Sequence, residues 1–314
     1  MKKTKQGILG GFQRFSTEDG PGIRTTLFFK GCPLNCKWCH NPELISSHYE
    51  ILYSPQRCIA CGLCAEACPE NGITLVRDEE GQMKIHIDRK ACTYCCRCTE
   101  ACCTEALRAA GERRSKEEVI DLLMRDRGFY EETGGGVTFS GGEVMSQAEY
   151  AEELMDACIE KGLSVTLDTC GYGRIEDLLR MGKKAQCILY DLKMMDSEEH
   201  KKLTGVDTEL IHSNLRTLCQ DDEIRSKIVI RIPLIHPFND SIENMEAVCK
   251  LMKELRIDQV NILPYHTLGT SKSRSLGKEA EEFQTPSDEA LHEIKGIFDQ
   301  YDLHLVIMGN EETA

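Results

Sequence analysis

The sequence has no apolar run approaching the ~20 residues that a membrane-spanning helix requires. It has no excess of basic charge: 38 lysines and arginines stand against 52 acidic residues, for a formal net charge of −14. That balance argues against nucleic acid or an anionic membrane as the main partner. The opening residues, MKKTKQGILGGFQRF, have a basic tip but only a short, glycine-interrupted apolar patch. The patch is too brief for a secretory signal, which argues against export. A core is not lacking: 314 residues with 41% hydrophobic and 29% charged side chains describe a globular chain rather than a disordered one. Its length suits two ordinary domains, or one large α/β domain with an insertion. What the chain has in unusual number is cysteine, 18 residues. Without an export signal these are expected to be reduced thiols of a cytoplasmic protein, not a disulfide framework.

The distribution of the thiols says more than their number. Eleven fall at regular spacings between Cys32 and Cys102, in three groups. Cys158, Cys170, Cys187, Cys219 and Cys249 stand singly, mostly among apolar neighbours, and read as small core residues. Thiolates grouped at two- and three-residue intervals are metal chemistry.

Outside residues 58–103, strands and helices alternate. Residues 25–29 (TTLFF) read as a buried strand ending at Lys30-Gly31. Further strands are expected at Val137–Ser140, Ser164–Asp168, Cys187–Asp191, Lys227–Ile232 and Gln259–Leu263, with another apolar run at Leu303–Met308. Apolar spacings of three and four predict helices at Ser146–Lys161, Arg174–Met181 and Ile242–Leu255. This alternation implies a parallel sheet with right-handed crossovers, interrupted by an insertion at about 55–110. No long-period repeat is evident apart from the two similar cysteine groups inside the insertion. Ligands of parallel α/β folds gather at the C-terminal strand ends. Here those ends carry Cys32, then Ser140-Gly141-Gly142-Glu143, Asp168-Thr169, Asp191-Leu192-Lys193, Arg231 and Pro264-Tyr265-His266.

The insertion holds Cys58-x2-Cys61-x2-Cys64-x3-Cys68-Pro69 and Cys92-x2-Cys95-x2-Cys98-x3-Cys102-Cys103. Three thiolates at two-residue gaps wrap one four-iron cube, and the fourth crosses to the neighbouring cube. Cys58, Cys61, Cys64 and Cys102 are therefore expected on one cluster, and Cys92, Cys95, Cys98 and Cys68 on the other. A zinc site would pair two CxxC knuckles and leave the remaining four cysteines without use. This segment resembles a bacterial two-cluster ferredoxin module. The second group departs from that pattern, with Cys96 where glycine and Cys103 where proline is usual, and either extra thiol is a possible substitute ligand.

Cys32-Pro-Leu-Asn-Cys36-Lys-Trp-Cys39 is spaced differently. Three thiolates hold three corners of a cube and leave one iron open to an exogenous ligand, whereas a cluster closed by four can only pass electrons. A zinc site of these three with His40 would strain the adjacent side chains 39 and 40. The loop resembles the signature of the radical S-adenosylmethionine superfamily, with Trp38 as its aromatic. Taken with Asp19-Gly20-Pro21-Gly22-Ile23-Arg24 and GCPLNCKWCHNPE, it is similar to the glycyl radical enzyme activating enzymes that carry a ferredoxin insertion.

The resemblance, which runs from about Arg14 to His266, implies a partial (β/α)6 barrel of the TIM type. Residues 1–54 and 111–314 would form it, and 55–110 the inserted two-cluster domain. It implies three [4Fe–4S] clusters, the open one chelated by S-adenosylmethionine, and in some relatives a monovalent cation. Cys32, Cys36 and Cys39 would be the ligands of the open cluster. Trp38, His40, Gly141, Gly142, Glu143, Asp168, Asp191, Leu192, Lys193, Arg231 and His266 would bind the cofactor. Of these, the GGE segment would meet its amino group through strand backbone, and Lys193 and Arg231 its carboxylate; Asp168 and Asp191 would hold the cation. Val144 stands where the family often has proline. Asp19 and Arg24 match a segment near the peptide substrate. No acid–base residue is nominated. The implied activity is reductive cleavage of S-adenosylmethionine to a 5′-deoxyadenosyl radical that takes hydrogen from a backbone glycine of a partner glycyl radical enzyme. Electrons would come from a flavodoxin or ferredoxin, and the chain is expected to act as a monomer. The alternatives are a radical S-adenosylmethionine enzyme acting on a small molecule or maturing a peptide, and a plain electron carrier.

Overall fold

The computed structural model describes residues 6–309; the basic tip of the opening segment lies outside them. Thirteen strands occur among the described residues: β1 (Gln6–Ser16), β2 (Arg24–Phe29), β3 (Glu50–Tyr53), β4 (Ile73–Arg77), β5 (Met83–Ile87), β6 (Leu107–Ala110), β7 (Glu112–Ser115), β8 (Gly136–Gly141), β9 (Ser164–Thr169), β10 (Cys187–Asp191), β11 (Ile228–Leu234), β12 (Gln259–Pro264) and β13 (His304–Ile307). The main sheet has nine strands in the order β13-β12-β11-β10-β9-β8-β2-β1-β7. From β2 through β8 to β13 every neighbour is parallel, and from β8 onward each new strand is added beside the one before it. That is one continuous winding, without the reversal of a doubly wound sheet.

The expected parallel strands and helices are present, because their patterns are those of buried elements. The interiors of β8 and β10 are inaccessible, at Val137, Phe139, Ile188 and Tyr190, as strands covered on both faces must be. The crossover helices include Ala148–Glu160, Ile175–Lys184 and Ile242–Leu255, the last started by Ser241, whose hydroxyl accepts from Asn244 N. Among the described residues no helix is long and apolar enough to cross a membrane.

The eleven-residue β1 was not anticipated. It runs antiparallel to β2, with two register shifts that spoil the alternation from which a strand is read. Two of its glycines are set by packing: a Cβ on Gly7 would lie 2.2 Å from the Tyr150 ring, and one on Gly10 2.0 Å from Leu44.

The sheet is strongly curled. Four strand steps separate β2 from β11, about 19 Å in a flat sheet. Yet Asp19 accepts from Thr26 of β2 at 2.6 Å and stands 3.7 Å from the Arg231 guanidinium of β11. The polar ends of non-adjacent strands thus face a common interior.

The cysteine-rich insertion leaves by β3 and returns by β6, which pair from Glu50↔Ala110 to Tyr53↔Leu107. Its small core is Ile51, Ile73, Ile85 and Leu107 with the thiols of Cys64 and Cys98. Buried Lys30, just after β2, fastens it at Glu50 (3.3 Å) and at the Glu43 carbonyl (2.5 Å). Arg89 donates to Ile51 O at 2.9 Å and to Ser275 O at 3.1 Å, tying the insertion to the helix Leu268–Ser275.

Candidate active site

Gly31, at a φ of 104° that favours glycine, turns the chain from β2 into the first cysteine loop. The loop is bonded on both sides: Cys32 N donates to Ile45 O (2.8 Å), Asn35 N to Thr204 O (2.7 Å) and Lys37 N to Leu203 O (3.0 Å). Cys32, Cys36 and Cys39 are half-buried and close enough to act on one another's ionisation. Burial is the main cause that pushes the Cys36 thiol up to about 12, against the pull of the Lys193 ammonium.

Trp38 is 6% exposed and packs with Met194, Leu203, Ile235 and Tyr265, edge-on to Phe283. Its place is that of an anchor for the loop. His40 stacks on His266 with ring centroids 3.8 Å apart. Burial, and then the neighbouring His266, depress its pKa to about 4, so the ring is neutral near pH 7. Nε2 of His40 is buried without a hydrogen-bond partner.

The SGGE segment ends β8. A Cβ on Gly141 would lie 2.3 Å from Phe29 N, and one on Gly142 2.4 Å from Gly31 O. These glycines are demanded by the close approach of the main chain at Phe29 and Gly31. Gly142 N and Glu143 N donate to Phe29 O and Gly31 O, so what this backbone offers a ligand is carbonyl oxygen. The Glu143 carboxylate is turned inward, accepting from Met145 N (3.0 Å), Thr169 Oγ1 (2.7 Å) and Cys170 N (2.7 Å). Burial raises its pKa and those donors oppose the rise. It cross-links the ends of β8 and β9.

Lys193 is not the exposed strand-end charge that its sequence position suggests. Its side chain is 12% exposed and its ammonium lies 2.5 Å from Asp191. Burial disfavours that charge, but Asp191 and the nearby Cys36 and Cys170 hold its pKa well above the ordinary value. Leu192, between them, is buried and bonded through N to Arg231 O. Asp168 accepts from Ser140 Oγ at 2.5 Å and stands 3.4 Å from Arg231. Burial raises its pKa to about 6, with Arg231 pulling the other way. Nη1 of Arg231 is buried and makes no hydrogen bond. Arg24, in contrast, is fully buried beneath the loop, donating to Thr138 Oγ1, Pro21 O and Val137 O. It braces residues 17–23 and is closed to a docking peptide.

In the insertion the thiols ring two hollows. Cys58, Cys61, Cys64 and Cys102 line one; Cys68, Cys92, Cys95 and Cys98 line the other, with Cys96 as a fifth. The fourth cysteine of each run has crossed to the other's hollow. A cube with four separate corners suits these donors. Backbone N–H groups of Gly72 and Leu107 point at Cys68 and Cys102 sulfur (3.3 and 3.4 Å), as they would toward thiolates.

Local sequence did not disclose the fasteners. Lys272 reaches Asn41 (2.6 Å) and Glu43 (2.9 Å) across the fold, and Arg89 reaches Ser275 O over a comparable sequence distance.

Residues 18–75 match a family model described as a 4Fe-4S single cluster domain, and residues 57–106 one described as a 4Fe-4S dicluster domain. The chain is 41% identical to the trans-4-hydroxy-L-proline dehydratase activating enzyme of Clostridioides difficile, over 95% of this chain and 97% of the relative. It is 36% identical to the indoleacetate decarboxylase activating enzyme of Tractidigestivibacter scatoligenes, over 94% and 95%. It is 34% identical to the choline trimethylamine-lyase activating enzyme of Oleidesulfovibrio alaskensis, over 97% and 98%. Among solved structures, Streptococcus suis SuiB bound to the precursor peptide SuiA matches in fold, with a TM-score of 0.50 at 13% identity, over 89% of this chain and 47% of that one.

Proposed function

The chain belongs to the activating enzymes of glycyl radical enzymes, within the radical S-adenosylmethionine superfamily, and from that premise we propose how its own residues divide the work. The observation that carries the reading is the convergence of a three-cysteine loop with buried charged side chains at the strand ends, Lys193 beside Asp191 and Arg231 beside Asp168. When bound there, a four-iron cluster and S-adenosylmethionine supply a 5′-deoxyadenosyl radical that takes hydrogen from a glycine of the partner.

Cys32, Cys36 and Cys39 are the ligands of the open cluster, each giving up its proton on loading. Nη1 of Arg231, ion-paired with Asp168 and Asp19 but making no hydrogen bond, and Nε2 of His40, buried without a hydrogen-bond partner, are the polar atoms poised for the cofactor. Lys193 faces its carboxylate, and the carbonyls of Gly141 and Gly142 its amino group. Glu143, Trp38 and Leu192 hold this frame from behind, and His266 covers it by stacking on His40. Asp168 and Asp191 face Arg231 and Lys193, and Asp19 faces Arg231 and Arg24. A ligand carboxylate adds further negative charge, which supports a monovalent cation beside the aspartates. The rigid frame serves a radical reaction by orienting the reactants and keeping water away.

Residues 55–110, joined through β3 and β6, hold two auxiliary clusters that relay electrons. Support comes from their order. The second hollow lies at the Ile51 end of β3, which Lys30 ties to the end of β2 and Arg89 to the helix Leu268–Ser275; the first lies near Leu107, which pairs with Tyr53, about 7 Å further along. Beside the first, Ile59, Leu63 and Leu75 are 65%, 44% and 41% exposed, an apolar surface suited to transient docking of a flavodoxin or ferredoxin. The eighteen free thiols suit the reducing cytoplasm. The relatives' partners are a dehydratase, a decarboxylase and a lyase at comparable identities, so the partner is read as a glycyl radical enzyme and no more narrowly.

The test is cleavage of S-adenosylmethionine by dithionite-reduced protein. Wild type is expected to release methionine and 5′-deoxyadenosine. Lys193→Ala is expected to need about ten- to a hundred-fold more S-adenosylmethionine, the worth of one charge-assisted hydrogen bond. No cleavage by iron-loaded wild type would leave the electron-carrier reading; equal affinity in the variant would remove Lys193 from the carboxylate.

A further inference from the structure

The two halves of the insertion repeat closely. Cys58, Cys61, Cys64 and Cys68 map in register onto Cys92, Cys95, Cys98 and Cys102. Left-handed residues recur in step: Ala60 with Tyr94 (φ 53° and 55°), Gly62 with Cys96 (83° and 62°), and Asn71 with Glu105 (50° and 53°). The short helices Leu63–Glu66 and Arg97–Glu100 follow the same register. One substitution stands out in this repeat: where the first half has Gly62, free to adopt a left-handed φ, the second has Cys96.

A side chain is disfavoured in that conformation, and strain of this kind directs attention to what the side chain does. The Cys96 thiol lines the second hollow beside Cys68, Cys92, Cys95 and Cys98. Its one polar contact is weak, donation to Tyr94 O at 3.4 Å. The first hollow has four thiols and no fifth. Cys103, the other surplus thiol of this group, is exposed and lines neither. Of the four principal thiols at the second hollow, Cys95 alone is exposed, and therefore the one most open to protonation and loss.

We propose that Cys96 is a reserve ligand for the second auxiliary cluster, taking the iron that Cys95 holds when Cys95 is lost. The exchange is thiolate for thiolate: the bond from iron to Cys95 sulfur breaks and one to Cys96 sulfur forms. The proton that Cys96 gives up is balanced by the one Cys95 takes up, and the cluster's oxidation state does not change. This rests on the reading that both hollows hold four-iron clusters. Its consequence is an asymmetry between two otherwise matching sites, since only the inner cluster, tied to the main sheet, has a spare thiol.

The experiment measures iron and sulfide, with the electron paramagnetic resonance spectrum after reduction, in anaerobically reconstituted full-length protein. Wild type should carry about twelve irons as three cubes; a markedly lower value there would refute the cluster reading itself, separately from this proposal. Cys61→Ala should fall to about eight irons, because the first hollow has no fifth thiol. Cys95→Ala should keep about twelve, with an altered spectrum for one cluster. Cys95→Ala combined with Cys96→Gly should drop to about eight. Glycine is the residue that this φ favours, so that loss would not reflect backbone strain. Cys96→Gly alone should keep all its iron and the wild-type spectrum. If Cys95→Ala loses a cluster as Cys61→Ala does, or if Cys96→Gly alone loses one, the proposal is wrong.

Discussion

Replacing Cys36 by alanine is expected to abolish cleavage of S-adenosylmethionine while the protein stays folded and keeps about eight of about twelve irons. The cysteine loop is held by its backbone bonds to Ile45, Leu203 and Thr204 and by the buried Trp38, none of which needs the Cys36 sulfur. The thiol itself is a cost to the unloaded fold only in the sense that burial keeps it protonated. Loading must displace that proton, so its loss removes a ligand and little else. The thiols proposed to hold the auxiliary clusters belong to a separate small core, so independent losses are expected. Iron content and 5′-deoxyadenosine release, measured on one preparation, check both halves of the expectation. Residual cleavage would show that the open cluster is held elsewhere. A fall to about four irons would show that the three sites are not independent.

The second large effect concerns Cys68. Although it belongs to the first cysteine run, it lines the second hollow, so Cys68→Ala should remove the inner auxiliary cluster. If the insertion relays electrons, radical formation driven by flavodoxin should lose most of its rate. A small, strong reductant that reaches the open cluster directly should largely restore it. Two thiol-lined hollows, one beside an exposed apolar surface and the other beside the attachment at Arg89, suit a path better than a staple. Docking of the partner through the insertion predicts a different outcome: equal losses with both reductants, and only when the protein substrate is present. Unchanged flavodoxin-driven rates in a variant confirmed to lack the cluster would end the relay reading.

Much of this was legible in the sequence because it depends on local pattern. Buried parallel strands read as short β-branched runs, and β8 to β12 lie where those runs do. Thiol spacing fixes which cysteines can wrap one cube, and the crossing of Cys68 and Cys102 follows from it. What escaped depends on partners distant in the chain. β1 is glycine-broken and bulged, so its pairing with β2 leaves no periodic trace. That Glu143 turns inward, that Trp38 is an anchor and that Lys193 is already paired with Asp191 are facts of burial, not of motif. Arg24 shows the limit most clearly. Its motif is the same whether the guanidinium faces a peptide or, as here, the main chain of its own fold.

The most direct test of the central claim follows a hydrogen atom. The reconstituted protein would be mixed with S-adenosylmethionine, dithionite and, in turn, the glycyl radical enzymes activated by its named relatives, each produced with deuterium at the glycine α-carbon. The account predicts that 5′-deoxyadenosine formed with at least one of them is heavier by one deuterium, and that this partner gains a protein radical. Unlabelled 5′-deoxyadenosine from every mixture, with no partner radical, would contradict it.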